Sequence, residues 1–312
     1  MGGGVGPAAA LSRIVLGCGN FGGIGSAPAF FGQGESRDEA FALMDAAWER
    51  GIRAFDTADA YGGGRSETWI GEWMAATGNR PRLTTKVFHS VEGNAEDEGL
   101  APERIRRQIE GSLDRLGVER VETYMVHEQD PETPVAETMK AFAELVEAGT
   151  TGEIGTSNVD VPWLEEALEV ALVGVVQNSY SLLDREGEPV LDFCAARGIR
   201  FEAFGPLAGG WLTGKYRRNE PAPEGSRMTM RPESYREFES DAVYDGLERF
   251  EREAAERGVE MPTLAFAWLL SDPRVSSVVV GPRRPEHLEP SFAAGRLHLA
   301  EAERDQLASL FP

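Results

Sequence analysis

Short β-rich runs alternate with amphipathic helical patterns along almost the whole chain, and this regular alternation is the strongest constraint on the fold. No Pro/Ser linker or low-complexity block interrupts it. Eight runs are predicted to be strands: 13–16, 53–56, 83–86, 123–126, 153–155, 174–178, 200–204 and 277–280. Helices are predicted between them, among others at 37–50, 102–116, 134–147, 162–171, 189–197 and 242–257.

Prolines and glycines mark the ends of these helices. Four prolines suit first-turn positions, and five glycines follow helices as C-terminal caps: Pro102, Pro134, Pro162 and Pro262, then Gly51, Gly117, Gly149, Gly198 and Gly258. Strands that are each followed by a helix favour a closed parallel barrel over an open sheet. We therefore predict an α/β protein with one domain over residues 1–312, a (β/α)8 TIM barrel.

Charge and composition exclude several classes of function. The net charge is −21 and no Lys/Arg-rich run occurs, so a nucleic-acid partner is not expected. Residues 1–7 lack the features of a secretion signal, and the chain has no long apolar run, which predicts a cytoplasmic protein without a membrane partner. Cys18, Cys194 and four scattered histidines predict neither a disulfide nor a metal site, and a homo-oligomer stays open.

Polar side chains lie at the ends of three consecutive predicted strands. Asp56 ends the second strand, Lys86 ends the third, and His127 follows the fourth, while Tyr61 lies in the loop after the second. The active site of such a barrel is built where strands end, so we expect these four side chains to converge. In the same loop, Ser66 with Glu67 is predicted to start the next helix as its N-terminal cap.

These residue types suit the protonation of a carbonyl oxygen. A buried Lys86 paired with Asp56 is predicted to lower the pKa of Tyr61, which would make the tyrosine a proton donor near neutral pH. His127 would orient the carbonyl group and help to polarise it. The alternative is that Asp56 and Lys86 only satisfy one another and that His127 is a structural residue at a strand end.

The pattern around these residues resembles the aldo-keto reductase superfamily, whose members are NADPH-dependent carbonyl reductases on a (β/α)8 barrel. Residues 55–58 and 61–67 match its signature, and residues 85–86 and 125–127 match the positions of its catalytic lysine and histidine. The resemblance covers nearly the whole chain. It implies that Tyr61 is the general acid, that Lys86 and Asp56 tune it, and that His127 positions the carbonyl group.

The resemblance extends to the nicotinamide end of the cofactor. Ser157, Asn158 and Gln177 match the residues that hold the nicotinamide carboxamide, and Phe204 takes the place of a tyrosine that stacks on the ring. From the residues alone, Ser157 and Asn158 could equally cap the helix that starts near Pro162.

Two glycine-rich matches to nucleotide-binding motifs are judged misleading. Residues 17–22 fit the G-x-G-x-x-G fingerprint, but residues 23–28 cannot form the helix that a Rossmann site requires. Residues 209–216 approach a P-loop, yet Tyr216 stands where Ser or Thr must bind magnesium. Neither stretch is therefore predicted to bind a nucleotide in these two ways.

The second glycine-rich stretch instead resembles the family loop that covers the cofactor pyrophosphate. Leu207, Gly209 and Lys215 are the matching residues, and a cofactor-covering loop is expected around 207–240. Its part from 217 to 240 is either a mobile lid or a disordered surface insertion.

The segment after the last predicted strand resembles the family's grip on the adenosine ribose phosphate. Gly281, Arg283 and Arg284 match it, and the two cations favour NADPH (NADP+) over NADH through charge-assisted contacts to a 2′-phosphate. Relatives commonly have Glu-Asn near Pro290-Ser291, so the adenine contact departs from the family here.

Four residues in predicted loops are candidates for the substrate pocket: Phe30, Phe31, His89 and Trp211. Each is equally a residue that packs a loop. The implied activity is the NADPH-dependent reduction of a small-molecule aldehyde or ketone to an alcohol. Two alternatives stay open, a redox-sensing or regulatory NADPH-binding subunit with little turnover and an NAD-linked alcohol dehydrogenase of the same fold.

Overall fold

The predicted barrel is present in a computed structural model, which describes residues 12–94 and 96–312. Eight parallel strands pair in chain order, and the last returns to the first. They are β1 (Ile14–Gly17), β2 (Ala54–Asp56), β3 (Arg82–Val87), β4 (Val121–Val126), β5 (Thr151–Ser157), β6 (Val173–Ser179), β7 (Arg200–Phe204) and β8 (Ser277–Val280). The interpretation of residues 1–7 lies outside the described residues.

Helices surround this barrel and follow the predicted pattern. They are α1 (Arg37–Glu49), α2 (Arg65–Thr77), α3 (Pro102–Leu116), α4 (Val135–Glu147), α5 (Val161–Val170), α6 (Glu188–Arg197), α7 (Arg227–Met230), α8 (Asp241–Glu256), α9 (Met261–Leu270), α10 (Glu289–Ala294) and α11 (Glu301–Ala308). All five predicted glycine caps have positive φ angles, which glycine adopts without steric cost. Pro134 lies one residue before its helix instead of in the first turn.

Alternate side chains of each strand face the outer helices and the barrel interior. On β7, Phe201 and Ala203 belong to the apolar core that the helices cover, and Phe201 packs edge-on against Tyr180, whose ring also contacts Trp268 of α9. Glu202, between them, must therefore face the barrel interior. The interior is consequently partly polar, and its upper layer is the floor of the candidate site.

The segment expected to cover a cofactor is ordered into short turns. It contains 3-10 turns at Ala208–Thr213, Pro232–Ser234 and Arg236–Phe238 in addition to α7. Arg227 on α7 donates a hydrogen bond of 2.7 Å to Asn20 Oδ1 in the loop after β1. The segment is therefore packed onto the barrel through this contact.

The two glycine-rich matches lack the helices that nucleotide motifs require. Residues 17–22 are followed by bends and a 3-10 turn at Pro28–Phe30, and residues 208–213 form a 3-10 turn. In the described part of the chain, no helix has the length and apolar content needed to cross a bilayer.

Candidate active site

Asp56 and Lys86 form a buried ion pair at the carboxyl ends of β2 and β3. Lys86 Nζ lies 2.6 Å from Asp56 Oδ1 and donates a second hydrogen bond of 3.0 Å to the Thr57 carbonyl oxygen. The Lys86 side chain is only 1% exposed. Burial alone would lower the pKa of Lys86, but the negative charge of Asp56 and the Tyr61 hydroxyl raise it above its ordinary value. Lys86 is therefore a fixed cation.

Tyr61 and His127 lie beside this pair. The Tyr61 hydroxyl is 3.4 Å from His127 Nε2, and Lys86 Nζ is 5.2 Å from the centre of the tyrosine ring. Burial, followed by the charges of Lys86 and His89, holds the pKa of His127 well below its usual range. His127 is therefore a neutral imidazole at neutral pH. The distances also show that the four side chains predicted to be catalytic lie together.

The prediction that Lys86 lowers the pKa of Tyr61 overall was wrong. Lys86 does act in that direction, but burial of the phenol is the larger effect and the Asp56 charge adds to it, so the pKa of Tyr61 is raised. Tyr61 is consequently a phenol with its proton in place at neutral pH.

Three consecutive glycines form the turn that follows Tyr61 and positions it here. Gly62, Gly63 and Gly64 all have positive φ angles, and a Cβ atom on Gly62 would lie 2.3 Å from the Phe21 carbonyl oxygen. The close approach of the loop after β1 therefore requires glycine here. That loop also lies against the ring of Tyr61, since a Cβ on Gly19 would be 3.4 Å from it.

Ser66 and Glu67 do not cap the helix that they were predicted to start. Helix α2 begins at Arg65, and its N-cap, Gly64, forms no side-chain cap. Ser66 Oγ instead donates to the Cys18 carbonyl oxygen, 3.0 Å away, and Glu67 accepts hydrogen bonds from Thr85 and Arg115. Both side chains are fully buried and fasten α2 beneath the site.

Ser157 is the last residue of β5, and Asn158 follows it beside His127. Asn158 Nδ2 donates to the His127 carbonyl oxygen at 2.9 Å and to Ser157 Oγ at 3.2 Å. They do not cap α5, because Asp160 does so by accepting a hydrogen bond from the Trp163 backbone N–H. The alternative of a structural cap is thereby removed.

Gln177 lies next to Ser157 and reaches the ion pair. Its Nε2 donates to Asp56 Oδ2 at 2.8 Å and to Glu202 Oε2 at 3.2 Å. Glu202 was missed by the sequence analysis, although an acid between Phe201 and Ala203 in a strand is a signal for a polar barrel lining. Burial and the negative charge of Asp56 raise the pKa of Glu202.

A group of cations lies where the resemblance expects phosphate. Lys215 is an exposed residue, but its ammonium group lies against the backbone of Gly210. A Cβ atom added to Gly210 would be 2.3 Å from Lys215 Nζ. Burial and the charges of Arg227 and Arg283 lower the pKa of Lys215. Cations that repel one another in this way suit a polyanion such as a dinucleotide phosphate. Arg227, which is distant in sequence, was not predicted.

Arg283 is also bound to a carboxylate that was not predicted. Its Nε lies 3.1 Å from Oε1 of buried Glu35, and its Nη1 donates to the Gly225 carbonyl oxygen at 3.0 Å. Gly281 and Arg284 are exposed next to it. Ser291 is buried and uses its hydroxyl to donate to the Leu288 carbonyl oxygen, which is consistent with the departure from the family pattern there.

Phe204 and Leu207 are both partly exposed. Phe204 is the last residue of β7, and Leu207 lies in the following loop. Gly209, two residues later, has a φ of 63°. These positions are consistent with the predicted stacking residue and loop.

Three of the four candidate pocket residues lie at the rim. The His89 ring is centred 5.0 Å from the His127 ring, and His89 Nε2 is 3.1 Å from Glu128 Oε1. Phe30 and Phe31 are partly exposed in the loop after β1, and Phe31 packs against Gly63.

Trp211 is the exception. It is 1% exposed and packs against Tyr216, Phe238 and Tyr244, so its role is to anchor the 207–240 segment rather than to line a pocket. Across residues 12–94 and 96–312, no three His, Cys, Asp or Glu side chains are grouped to hold a metal ion.

Comparisons with known proteins agree with the barrel fold. The sequence profile of the Aldo/keto reductase family matches residues 13–311. An uncharacterized oxidoreductase of Bacillus subtilis (strain 168) is 34% identical over 97% of this chain and 93% of its own. The NADH-specific methylglyoxal reductase of Escherichia coli (strain K12) is 32% identical, with coverage of 94% and 92%. Among solved structures, the glycerol dehydrogenase of Gluconobacter oxydans has a TM-score of 0.82 at 26% identity and covers 96% of this chain and 90% of its own.

Proposed function

Because this chain belongs to the aldo/keto reductase family, we propose that it reduces an aldehyde or ketone to an alcohol with NADPH, and that Tyr61 supplies the proton. The family makes it an oxidoreductase. The proposal depends mainly on one observation: four side chains lie close together at one end of the barrel, namely Asp56, Lys86, Tyr61 and His127.

The states of these four groups suit a reduction at neutral pH. The bound dinucleotide would supply a hydride to the carbonyl carbon, and negative charge would develop on the carbonyl oxygen. Tyr61 holds a proton for that oxygen, because its pKa is raised. The fixed charge of Lys86 stabilises the phenolate that remains, and a neutral His127 can donate one N–H to the same oxygen.

The chain also offers groups for both ends of an extended dinucleotide. Ser157, Asn158 and Gln177 present hydroxyl and amide groups beside the catalytic residues. Lys215, Arg227 and Arg283 form a group of cations, which supports their proposed role in binding its phosphates. The 207–240 segment, which packs over this region, would cover the cofactor.

NADPH is the proposed cofactor because Arg283 and Arg284 are exposed cations in the loop after β8, where the resemblance expects a 2′-phosphate. Glu35 weakens this preference, since its carboxylate binds Arg283. The E. coli relative is named as NADH-specific, so both cofactors belong in the test. The relatives also suggest which substrates to try first, namely methylglyoxal and the aldehyde and ketone derived from glycerol.

The test is a panel of carbonyl compounds assayed with NADPH and with NADH in parallel. We expect turnover of small aldehydes or ketones and a lower KM for NADPH. Tight NADPH binding without turnover of any carbonyl would contradict the proposal and favour a cofactor-sensing subunit. Equal or tighter binding of NADH would replace NADPH as the proposed cofactor and favour an NAD-linked enzyme.

A further inference from the structure

Four side chains lie side by side across neighbouring strands in the upper layer of the barrel. The strand register pairs Ser157 with Gln177, Gln177 with Glu202, and Glu202 with Ser277. Gln177 is 3% exposed, and Ser277 Oγ donates a hydrogen bond of 2.8 Å to Glu202 Oε1. Glu202 is thus held from both neighbouring strands, although the resemblance gives it no role.

The contacts of Gln177 determine which way its amide group faces. Nε2 has two hydrogens, and its two partners are Asp56 Oδ2 at 2.8 Å and Glu202 Oε2 at 3.2 Å. An ionised carboxylate only accepts hydrogen bonds, so a flipped amide would place Oε1 against two acceptors. The orientation also holds if Glu202 is protonated. Oε1 would then hold the proton and donate a hydrogen bond to Ser277 Oγ, and Oε2 would still accept from Gln177.

The two hydrogen bonds of Gln177 Nε2 restrict its amide group more than either bond alone would. Asp56 alone selects Nε2 as the atom that faces it, but the amide could still rotate about its last torsion. The second bond, to Glu202, stops that rotation. Oε1 is therefore presented in one direction as an acceptor whose N–H partner must come from outside this network.

The neighbouring strand supplies the complementary group. Ser157 Oγ accepts a hydrogen bond from Asn158 Nδ2, so its own hydroxyl proton is available to an acceptor. Strands lie about 4.8 Å apart, so β5 and β6 present one donor and one acceptor side by side. A primary amide, which carries an N–H donor and a C=O acceptor on one carbon, is complementary to this pair.

We propose that Glu202 is a positioning residue that orients Gln177 Oε1 to receive the N–H of the nicotinamide carboxamide, and so ties cofactor recognition to the Asp56–Lys86 pair. The inference rests on the proposed function for its ligand. It assigns a role to a residue outside the catalytic four and identifies the chemical group that it selects.

The probe is the 3-acetylpyridine analogue of NADP+, in which a methyl group replaces the amide –NH2 and cannot donate to Oε1. Dissociation constants of NADP+ and of the analogue are measured by quenching of tryptophan fluorescence. In the wild-type protein we expect the analogue to bind about fivefold to tenfold more weakly, the value of one hydrogen bond. If the protein prefers NAD+, the same ratio is measured with NAD+ and its acetylpyridine analogue.

Two substitutions of Glu202 separate orientation from charge. Glu202→Ala removes the second of these hydrogen bonds to Gln177, and the ratio of the two dissociation constants should fall to about one or two. Glu202→Gln removes the charge but leaves an oxygen that accepts from Gln177, so the ratio should stay near the wild-type value. Glu153→Ala is the matched control, because it deletes another interior carboxylate whose hydrogen bonds go to Arg200 and Thr123.

The outcomes distinguish this inference from the function on which it rests. A wild-type protein that binds neither NADP+ nor NAD+ contradicts the proposed function. Cofactor binding with a wild-type ratio near one, or a full ratio in Glu202→Ala, overturns only the role of Glu202. If Glu202→Ala does not fold by circular dichroism, Glu202→Met takes its place, since methionine fills the space without a strong acceptor.

Discussion

Arg283 and Glu35 form an ion pair that joins the loop after β8 to the loop after β1, with 3.1 Å between Nε and Oε1. The Glu35 side chain is only 3% exposed. Burial raises the pKa of Glu35, and Arg283 acts against that rise. The cation proposed to contact a 2′-phosphate is therefore already partly neutralised, which ties cofactor preference to one buried carboxylate.

Glu35→Gln should shift preference towards NADPH. Removing the negative charge leaves Arg283 with its full attraction for a 2′-phosphate, so the ratio of the NADH to the NADPH dissociation constant should rise by about tenfold. The control is Glu144→Gln, since Glu144 is an exposed carboxylate paired with Arg106 and has no contact with either proposed phosphate-binding arginine. A ratio that moves equally in both variants would contradict the role of Glu35.

Tyr61→Phe should remove carbonyl reduction while leaving the cofactor bound. The change deletes only the hydroxyl that is proposed to donate the proton, and loss of a general acid lowers the rate by about 10² to 10⁴. Turnover is measured with the best substrate of the carbonyl panel, and NADPH affinity by fluorescence. Retention of most of the turnover would show that another group is the acid.

The rate of reduction should be nearly independent of pH across the neutral range. Tyr61 must hold its proton, and its raised pKa means that activity falls only when the pH exceeds the ordinary tyrosine value. His127 must be neutral, and its lowered pKa means that activity falls only below the ordinary histidine range. We expect a flat kcat/KM between about pH 6 and 9. An inflection near pH 6.5 in this profile would contradict the state assigned to His127.

Asp56→Asn should destabilise the fold as well as the site. It leaves the Lys86 ammonium group buried without its counter-charge, and breaking a buried pair in this way costs about 3–5 kcal/mol of unfolding free energy. Urea unfolding measures the change. The Arg106–Glu144 pair lies on the surface, where water screens it, so Glu144→Gln should change stability far less. Similar effects in the two variants would mean that Lys86 is not effectively desolvated.

Asp59→Asn should stabilise the protein increasingly as pH rises. Asp59 is fully buried, and burial followed by the Glu67 charge raises the pKa of Asp59 well above its ordinary value of 3.8. The folded state therefore binds this proton more tightly than the unfolded state, and stability is lost between the ordinary and the raised pKa. The difference between variant and wild type in urea unfolding should widen upward from about pH 4. A constant difference would contradict the raised pKa.

The barrel and the positions of the four candidate catalytic residues were predictable because their signals are local. Hydrophobic patterns, prolines and glycines each act within a few residues, and parallel strands bring their carboxyl ends to one edge. Asp56, Lys86 and His127 could be placed at that edge once the strands were found. The start of α2 was harder to predict, since Ser66 and Glu67 resemble a helix cap in the sequence but form tertiary hydrogen bonds in the structure.

Contacts between distant parts of the chain were not predictable in the same way. Arg283 is 248 residues from Glu35, and Gln177 is 121 residues from Asp56. Nothing near Arg227 in the sequence indicates that it approaches Lys215, and nothing near Trp211 indicates that it packs inward. These partners depend on how loops from separate strands meet above the barrel.

The amino-acid sequence by itself determined the closed barrel, the edge that carries the candidate active site and the types of side chain that meet there. Only the tertiary structure decided the state of those side chains. The pKa of Tyr61 depends on burial against the charge of Lys86, and burial has the larger effect. The direction of the Gln177 amide likewise depends on two carboxylates from other strands. Charge state and hydrogen-bond direction depend on the whole surroundings of a group in space, whereas strand and helix formation depends mostly on its neighbours in the chain.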